Sequence, residues 1–520
     1  MSERPVAYFC MEYGLNSEFH TYSGGLGVLA GDILKASKDL GENVVGVGLM
    51  WSKGYVEQFN CDDSVKHKYY SHNYSFVDKV HETQLKIGDQ ELTIDVYKTE
   101  KYGNAPLYLL DTNNLSNTFE QRQLTSKLYM GSQEEKMLQQ VILGKGGLKV
   151  LEELGEFPEK VHMNESDSFF AGLEMIRRST DGSFEEELEK NKEKVVFTTH
   201  TPIEAGNPKF SHGAIENSGV AKEYGEVDLR KLAEDPFNST LACLRIAGKT
   251  NAVAERHETV AREMWSGFEN TCEITGITNG VHLPTWQSEK VKGKTGEELW
   301  RAHQEEKKEL IKVLNADLDP EKPLIGFARR FTDYKRPTLL LDNPEIEKEI
   351  LENFNIVFAG KAHIEDVHGQ KMVNRVYHKS LRDDSVVWIE NYDMKDAERL
   401  IKGCDIWLSS PIPKKEACST SVIKAAANGL LNVSTPDGWC WEAINSGENG
   451  WLYGNDEPED NRVEQDRKDL EALKKVLVDE ILPSYNDKNK WISMMERAIE
   501  TSKEYSAKEM VKKYRERLWD

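Results

Sequence analysis

No run among the 520 residues approaches the ~18 consecutive apolar positions of a membrane-spanning helix. Paired cysteines are missing too. The seven present, Cys10, Cys61, Cys243, Cys272, Cys404, Cys418 and Cys440, are scattered, odd in number and without a C-x-x-C pair. That argues against a disulfide framework and a cysteine-held zinc site, and makes a reducing cytoplasm the expected setting, with no metal. The opening residues, MSERPVAYFCMEYG, have no basic stretch followed by a long apolar core, so a secretory signal is not expected. Positive charge is scarce: 67 Lys and Arg against 89 Asp and Glu leave a formal charge of -22. A surface of that sign repels nucleic acid and anionic membrane, and any anionic ligand needs a local pocket of cations. Internal repeats and low-complexity tracts are absent as well.

The composition is that of an ordinary folded protein, 38% hydrophobic and 9% aromatic, and the length suits two or three domains. Short β-rich runs recur with helical stretches between them: VAYFCME, NVVGVGLMW, VVFTTHTP, PLIGFARR, NIVFAGKAH, SVVWIENY, DIWLSSP and LLNVSTP. This alternation predicts an α/β protein with parallel sheets wrapped by helices. One set of runs lies before about residue 285 and another after about 320, joined by the helical GEELWRAHQEEKKELIKVL. The expectation is two doubly wound, Rossmann-like domains facing a cleft, with functional residues at the carboxyl ends of the strands. The charged stretch 459–482, with Leu470, Leu473, Val476, Leu477 and Ile481 at helical spacing, reads as a plain amphipathic helix, and Ser506 with Glu509 as a capping box before a last helix.

Several polar segments at strand ends carry chemistry. In TYSGGLGVLAGDILKAS, Gly24, Gly25 and Gly27 precede an amphipathic run. Such a loop either cradles a phosphate with its N–H groups or is a simple turn into a helix. GFARRFTDYKRP places Arg329, Arg330, Lys335 and Arg336 within eight residues of a strand end. In so acidic a chain they either form an anion site, because Arg offers a planar fork to phosphate oxygens and Lys a compact charge, or make salt bridges to the many acids. Lys361 either joins that pocket or pairs with Glu365. His200, after VVFTT, either donates to a sugar hydroxyl, carries a proton, or is structural. Asn279 and His282, in GITNGVHLPTW, are ligand contacts or turn residues. In EACSTSVIKAAANG a single lysine, Lys424, stands among small residues. Thr420 or Ser421 would cap a short helix ending at Gly429, putting Lys424 near the positive end of the helix dipole and in apolar company. Both effects favour a neutral amine, the form that makes an imine with a carbonyl cofactor such as pyridoxal phosphate.

These segments, in order with YFCMEYGL, QQVILGKGG, HMNES, NAVAERHETVAREMW, ENYDM and STPDGW, resemble the α-glucan phosphorylases, particularly their short prokaryotic branch, over nearly the whole chain. The resemblance implies the two-domain GT-B fold, with a glucan-binding domain at 1–285, a cofactor-binding domain at 286–500, and a C-terminal helix at 501–520 packing back on the first. It implies reversible phosphorolysis of an α-1,4-glucan from its non-reducing end, giving glucose 1-phosphate with retention, and pyridoxal phosphate as the cofactor whose phosphate relays the proton. Lys424 resembles the cofactor lysine, Thr420 and Ser421 lie where the cofactor phosphate is bound, Tyr392 near the cofactor and Arg329 near its phosphate. Arg330 and Lys335, with the backbone of Gly25, Leu26 and Gly27, match positions that hold the substrate phosphate. His200, Asn279, Tyr334 and Glu416 match residues that bond the glucosyl unit, with Ser419 beside it. Lys424, Arg330, Lys335 and His200 form the catalytic set implied. The partners implied are α-glucan and inorganic phosphate, with a homodimer as the expected assembly.

The pattern is broken at several positions. Ser419 replaces a glycine, Val422 and Ile423 replace Gly-Met, Asp167 and Asn207 stand where histidine is usual, and Ser132 where aspartate is. Those at 419, 422 and 423 are expected to narrow the sugar pocket. Two other readings remain. One is a nucleotide-sugar glycosyltransferase of the same fold, which often has a glutamate where this chain has Lys424. The other is a carbohydrate-binding relative with weakened turnover.

Overall fold

The computed structural model describes residues 4–61, 64–178, 182–225 and 229–520. All eight β-rich runs named above are strands, and they divide between two sheets. The first has nine strands in the spatial order Ile274–Gly276, Lys249–Ala252, Val195–Thr198, Lys160–Asn164, Val6–Phe9, Val44–Leu49, Leu107–Asp111, Gln90–Thr99 and Asp78–Ile87. Its first seven strands are parallel. The last two form an antiparallel hairpin added at the edge. The second sheet is parallel throughout, in the order Val386–Ile389, Asn355–Ala359, Leu324–Ala328, Ile406–Ser409, Leu431–Ser434 and Gly450–Leu452. The helix Gly296–Leu314 lies in the chain between them.

Both sheets reverse their direction of growth in the middle, and there the loops that follow neighbouring strands splay apart. In the first sheet the reversal lies between Val6–Phe9 and Lys160–Asn164, which places Cys10 to Gly27 and Glu165 to Ser168 at the crevice. In the second it lies between Leu324–Ala328 and Ile406–Ser409, which places Arg329 to Lys335 beside Ser410 to Ser419. The topology therefore gathers segments far apart in sequence.

The halves are joined at several places, among them a hairpin and the C-terminal helix. The hairpin Glu57–Cys61 with Ser64–Lys68 reaches over to the second sheet's loops: the fully buried Gln58 donates to Gly360 O (3.1 Å) and accepts from Ala362 N (2.9 Å). The C-terminal helix Ala507–Tyr514 packs on the helix Gly25–Leu40, and Trp519 Nε1 donates to His162 Nδ1 at 3.0 Å. Ser506 caps that helix through Glu509 N. The return bond of a capping box is not made, because the Glu509 carboxylate takes Lys512 instead (2.6 Å). The amphipathic stretch is helical over Arg462–Lys475 and continues as a wider turn over Val476–Ile481. Among the described residues no helix is long and apolar enough to cross a membrane.

Candidate active site

Three charged residues from the second sheet's switch point form the centre. Arg329 and Lys335, after Leu324–Ala328, both reach Glu416, after Ile406–Ser409, at 2.9 and 2.7 Å. All three are at least nine-tenths buried. Burial opposes ionisation of Glu416, but the two cations outweigh it and hold its carboxyl below the ordinary value. Arg329 also donates to the hydroxyls of Ser409 and Ser419. Arg330 differs: it is exposed and has Tyr334, Tyr55 and Tyr129 beside it. Among the described residues it has no carboxylate in ion-pair range. Arg336 belongs to another network, paired with Asp469 (2.5 Å) and Asp466 (3.1 Å) on the Arg462–Lys475 helix. Of the four cations, Arg329 and Lys335 thus share a carboxylate, and Arg330 alone is available to an incoming anion. Lys361 does not pair with Glu365; its charged neighbours are Glu57, Asp393 and Asp396, and burial brings its amine down to about 8.

Lys424 stands on the short helix Thr420–Ala426. The N-cap is Ser419, with φ 71° and no side-chain cap bond, so neither Thr420 nor Ser421 caps as expected from sequence. Both lie inside the first turn, half-exposed, on the face that also carries Lys424. Lys424 falls in the last turn, where the dipole favours a cation, so the dipole argument made from sequence fails. Its basicity falls for another reason: burial lowers the amine to about 8, against an opposing contribution from Asp32, with Lys35 adding to the fall. The amine has no hydrogen-bond acceptor among the described residues and rests over Trp286, 3.8 Å from the ring centroid. Tyr392 packs against the same core at the end of Val386–Ile389.

From the first sheet come the glycine loop and the sugar-facing candidates. The helix starts at Gly25, with Gly24 as N-cap. The N–H groups of Ser23 and Gly24 go to Glu12 Oε2, at 2.6 and 3.3 Å. Those of Gly25, Leu26 and Gly27, the first of the helix, have no acceptor among the described residues. A Cβ at Gly25 would meet nothing within 4 Å, whereas one at Gly27 would come 2.7 Å from both Glu12 Oε2 and Tyr22 Cβ. Gly25 is therefore the open side of the loop and Gly27 the tight side. His200 Nε2 lies 2.7 Å from Asn164 Oδ1. Since an amide oxygen only accepts, Nε2 carries the proton and Nδ1 is an acceptor. Burial lowers the imidazole to about 3, with His257 and His162 adding to the fall, so the ring favours its neutral form. Glu165, itself at φ 65°, holds this loop by accepting from His200 N (2.6 Å) and Thr201 Oγ1 (2.9 Å). Asn279 is 3% exposed and its Oδ1 has no partner. His282 bonds Thr285 and Asp39 and is a structural turn residue.

The departures from the phosphorylase pattern separate into different roles. Val422 and Ile423 are fully buried in the hydrophobic core, not in a sugar pocket. Ser132 caps Gln133–Val141 in a capping box with Glu135. Asp167 accepts from Gln140 Nε2 at 2.8 Å, and Asn207 bonds the carbonyl of Ile203 at 3.0 Å. Ser419 alone touches the charged centre, through Arg329. Sequence reasoning missed Glu12, Glu165, Asp32 and Trp286. Glu12 closes the run VAYFCME, where the strand-end rule could have found it; Glu165 follows Lys160–Asn164, a strand absent from the runs named above.

A buried amine with no acceptor, an aromatic face, half-exposed hydroxyls at Thr420 and Ser421, and an arginine close by fit a flat aldehyde cofactor bearing a phosphate. Among the described residues no group of three or more His, Cys, Asp or Glu is arranged to hold a metal ion.

The chain is similar in sequence to known proteins. A family model described as Glycosyl transferases group 1 matches residues 308–472. The chain is 33% identical to a glycogen phosphorylase of Aquifex aeolicus, over 98% of this chain and 85% of that protein. It is 33% identical to a maltodextrin phosphorylase of Thermococcus litoralis, over 99% of this chain and 70% of that protein. An uncharacterized protein of Methanocaldococcus jannaschii is 30% identical over 99% of this chain and 100% of its own length.

Proposed function

The chain belongs to the family of glycogen and maltodextrin phosphorylases, glycosyltransferases of the GT-B fold, and from that premise we propose that it phosphorolyses an α-1,4-glucan from its non-reducing end. The product is α-D-glucose 1-phosphate with retained configuration, and pyridoxal phosphate is the cofactor. The observation that carries this reading is the acceptor-free amine of the buried Lys424, on the short helix whose N-cap, Ser419, bonds Arg329 of the Arg329–Glu416–Lys335 cluster.

Lys424 would hold the cofactor's aldehyde carbon, with Thr420, Ser421 and Arg329 at its phosphate and Tyr392 beside it. When bound, that phosphate supplies an acid–base group to the substrate phosphate. The other steps fall to the chain's own side chains. Arg330, free of carboxylates, takes the incoming phosphate together with the N–H groups at Gly25, and Lys335 adds charge from the other side. The charges of Arg329, Arg330 and Lys335 would offset the repulsion between two phosphates held there. Glu416 accepts from sugar hydroxyls with the oxygen its cations leave free. His200 Nδ1 and Asn279 Oδ1 accept from others, so a sugar lacking those hydroxyls leaves buried acceptors unpaired. Tyr334 keeps Arg330 oriented.

The test is an assay of the full chain, supplied with pyridoxal phosphate, on maltose, maltodextrins and glycogen with inorganic phosphate. Glucose 1-phosphate is the expected product, and Lys424→Ala should lose both the cofactor's absorbance and the product. No sugar phosphate from any α-glucan, and no chain extension from glucose 1-phosphate, would overturn the reading. Binding of ADP-glucose or UDP-glucose without pyridoxal absorbance would favour a nucleotide-sugar transferase.

A further inference from the structure

Lys424 rests on Trp286, and Trp286 is held by a carboxylate from a distant part of the chain. The indole Nε1–H donates to both oxygens of Asp32, at 3.0 and 2.9 Å. Asp32 lies within the helix Gly25–Leu40 and is 1% exposed, as is Trp286. The lysine and the ring are also tied through the backbone. Asn428 Nδ2 donates to Trp286 O and to Lys424 O, both at 2.9 Å, while Ser288 N donates to Asn428 Oδ1 at 2.8 Å. The amine therefore has a fixed ring face to rest on. A carboxylate at the indole N–H polarises the ring toward greater electron density on its faces, which strengthens its hold on a cation. The charged groups facing Lys424 are Asp32 and Lys35, both on the first helix. Lys35 is engaged by Leu15 O (2.9 Å) and Thr285 Oγ1 (3.1 Å).

We propose that Asp32 is a positioning residue for Lys424 that acts through the indole of Trp286, fixing the ring on which the amine rests and favouring the amine's charged form. Its catalytic importance rests on Lys424 being the cofactor lysine, but the coupling itself belongs to the chain alone. Removing the carboxylate makes the amine neutral at lower pH, yet loosens the surface that aims it.

The experiment is trace acetylation of the full-length chain, free of carbonyl compounds, between about pH 6 and 11. The Lys424 peptide is read by mass spectrometry against that of Lys348, whose side chain is 79% exposed. Asp32→Asn should lower the Lys424 midpoint by on the order of one unit, giving about tenfold faster acetylation below it. In a Trp286→Phe background the same change should move the midpoint much less. An unchanged midpoint in Asp32→Asn overturns the proposal, and so does an equal shift in both backgrounds, which would mean a direct effect through space. Should Asp32→Asn not fold, the unmutated protein serves: the Trp286 indole N–H resonance must titrate with the Lys424 midpoint, and indifference to pH there overturns the proposal. Absence of an absorbance band with added pyridoxal phosphate would sink the cofactor reading while leaving the acetylation result to stand on its own.

Discussion

Ser419 sets two effects of similar size against each other. Its backbone is left-handed, φ 71° and ψ 68°, a conformation that costs a residue with a Cβ roughly 1–2 kcal/mol and a glycine almost nothing. Its hydroxyl accepts a bond from Arg329, and a bond to a charged, buried partner contributes about 1.5–3 kcal/mol. The bond therefore outweighs the strain by a small margin. Ser419→Ala keeps the strain and loses the bond, so the protein should be destabilised by about 2 kcal/mol. Ser419→Gly loses both, and the loss should be about 1 kcal/mol. The ordering serine, glycine, alanine is the signature, measured as urea midpoints of the three proteins at one pH. Alanine as stable as glycine would refute the strain, and alanine as stable as serine would refute the bond. A functional consequence follows from the same contact. Without the hydroxyl, Arg329 keeps Ser409 and Glu416 but turns more freely. Ser419→Gly should then bind pyridoxal phosphate at least as tightly as the parent, read by absorbance titration.

Glu416→Gln strips Arg329 and Lys335 of their shared carboxylate, which should cost about 3 kcal/mol of stability. Inorganic phosphate should then raise the melting temperature of the variant more than that of the parent, and an equal rise would contradict the charge argument. Glu165→Gln tests pH linkage. Burial raises the Glu165 carboxyl to about 7 from 4.5, so its contribution favours the fold below about pH 4.5 and is lost as pH rises through 7. The glutamine variant should be more stable than the parent by about 3 kcal/mol at pH 8 and little different at pH 4.5, in urea titrations at the two values. Arg330→Met should raise the KM for phosphate tenfold or more, with only a small change in melting temperature, because the side chain is exposed and holds no carboxylate.

Local patterns disclosed the sheets but not what lies between them. The β-rich runs are self-contained signals, and their polar tails led to Arg329 and His200, whereas Glu416 came only from the family resemblance. Glu416 as the shared counter-ion of Arg329 and Lys335 was out of reach, because the contact exists only where two strands adjacent in space end together, 87 residues apart. The same limit hid Asp32, an acid in an amphipathic helix whose partner Trp286 comes 254 residues later. The docking of Gln58 across to Gly360, over 302 residues, is of this kind too. The error over Lys424 was local. Its lowered basicity was ascribed partly to a helix N-terminus, but the helix runs only from Thr420 to Ala426 and places the lysine in its last turn. Helical geometry also corrects the expected pocket. Positions 420, 421 and 424 share one face, so Val422 and Ile423 turn into the core. Of the departed positions, Ser419 alone then remains in contact with the charged centre, through the orientation it gives Arg329. Exchanging Val422 and Ile423 for Gly-Met should therefore alter stability by opening the core, while leaving the ratio of kcat/KM values between maltose and maltodextrin unchanged. A shift in that ratio would show that the helix rotates or that the core transmits to the sugar.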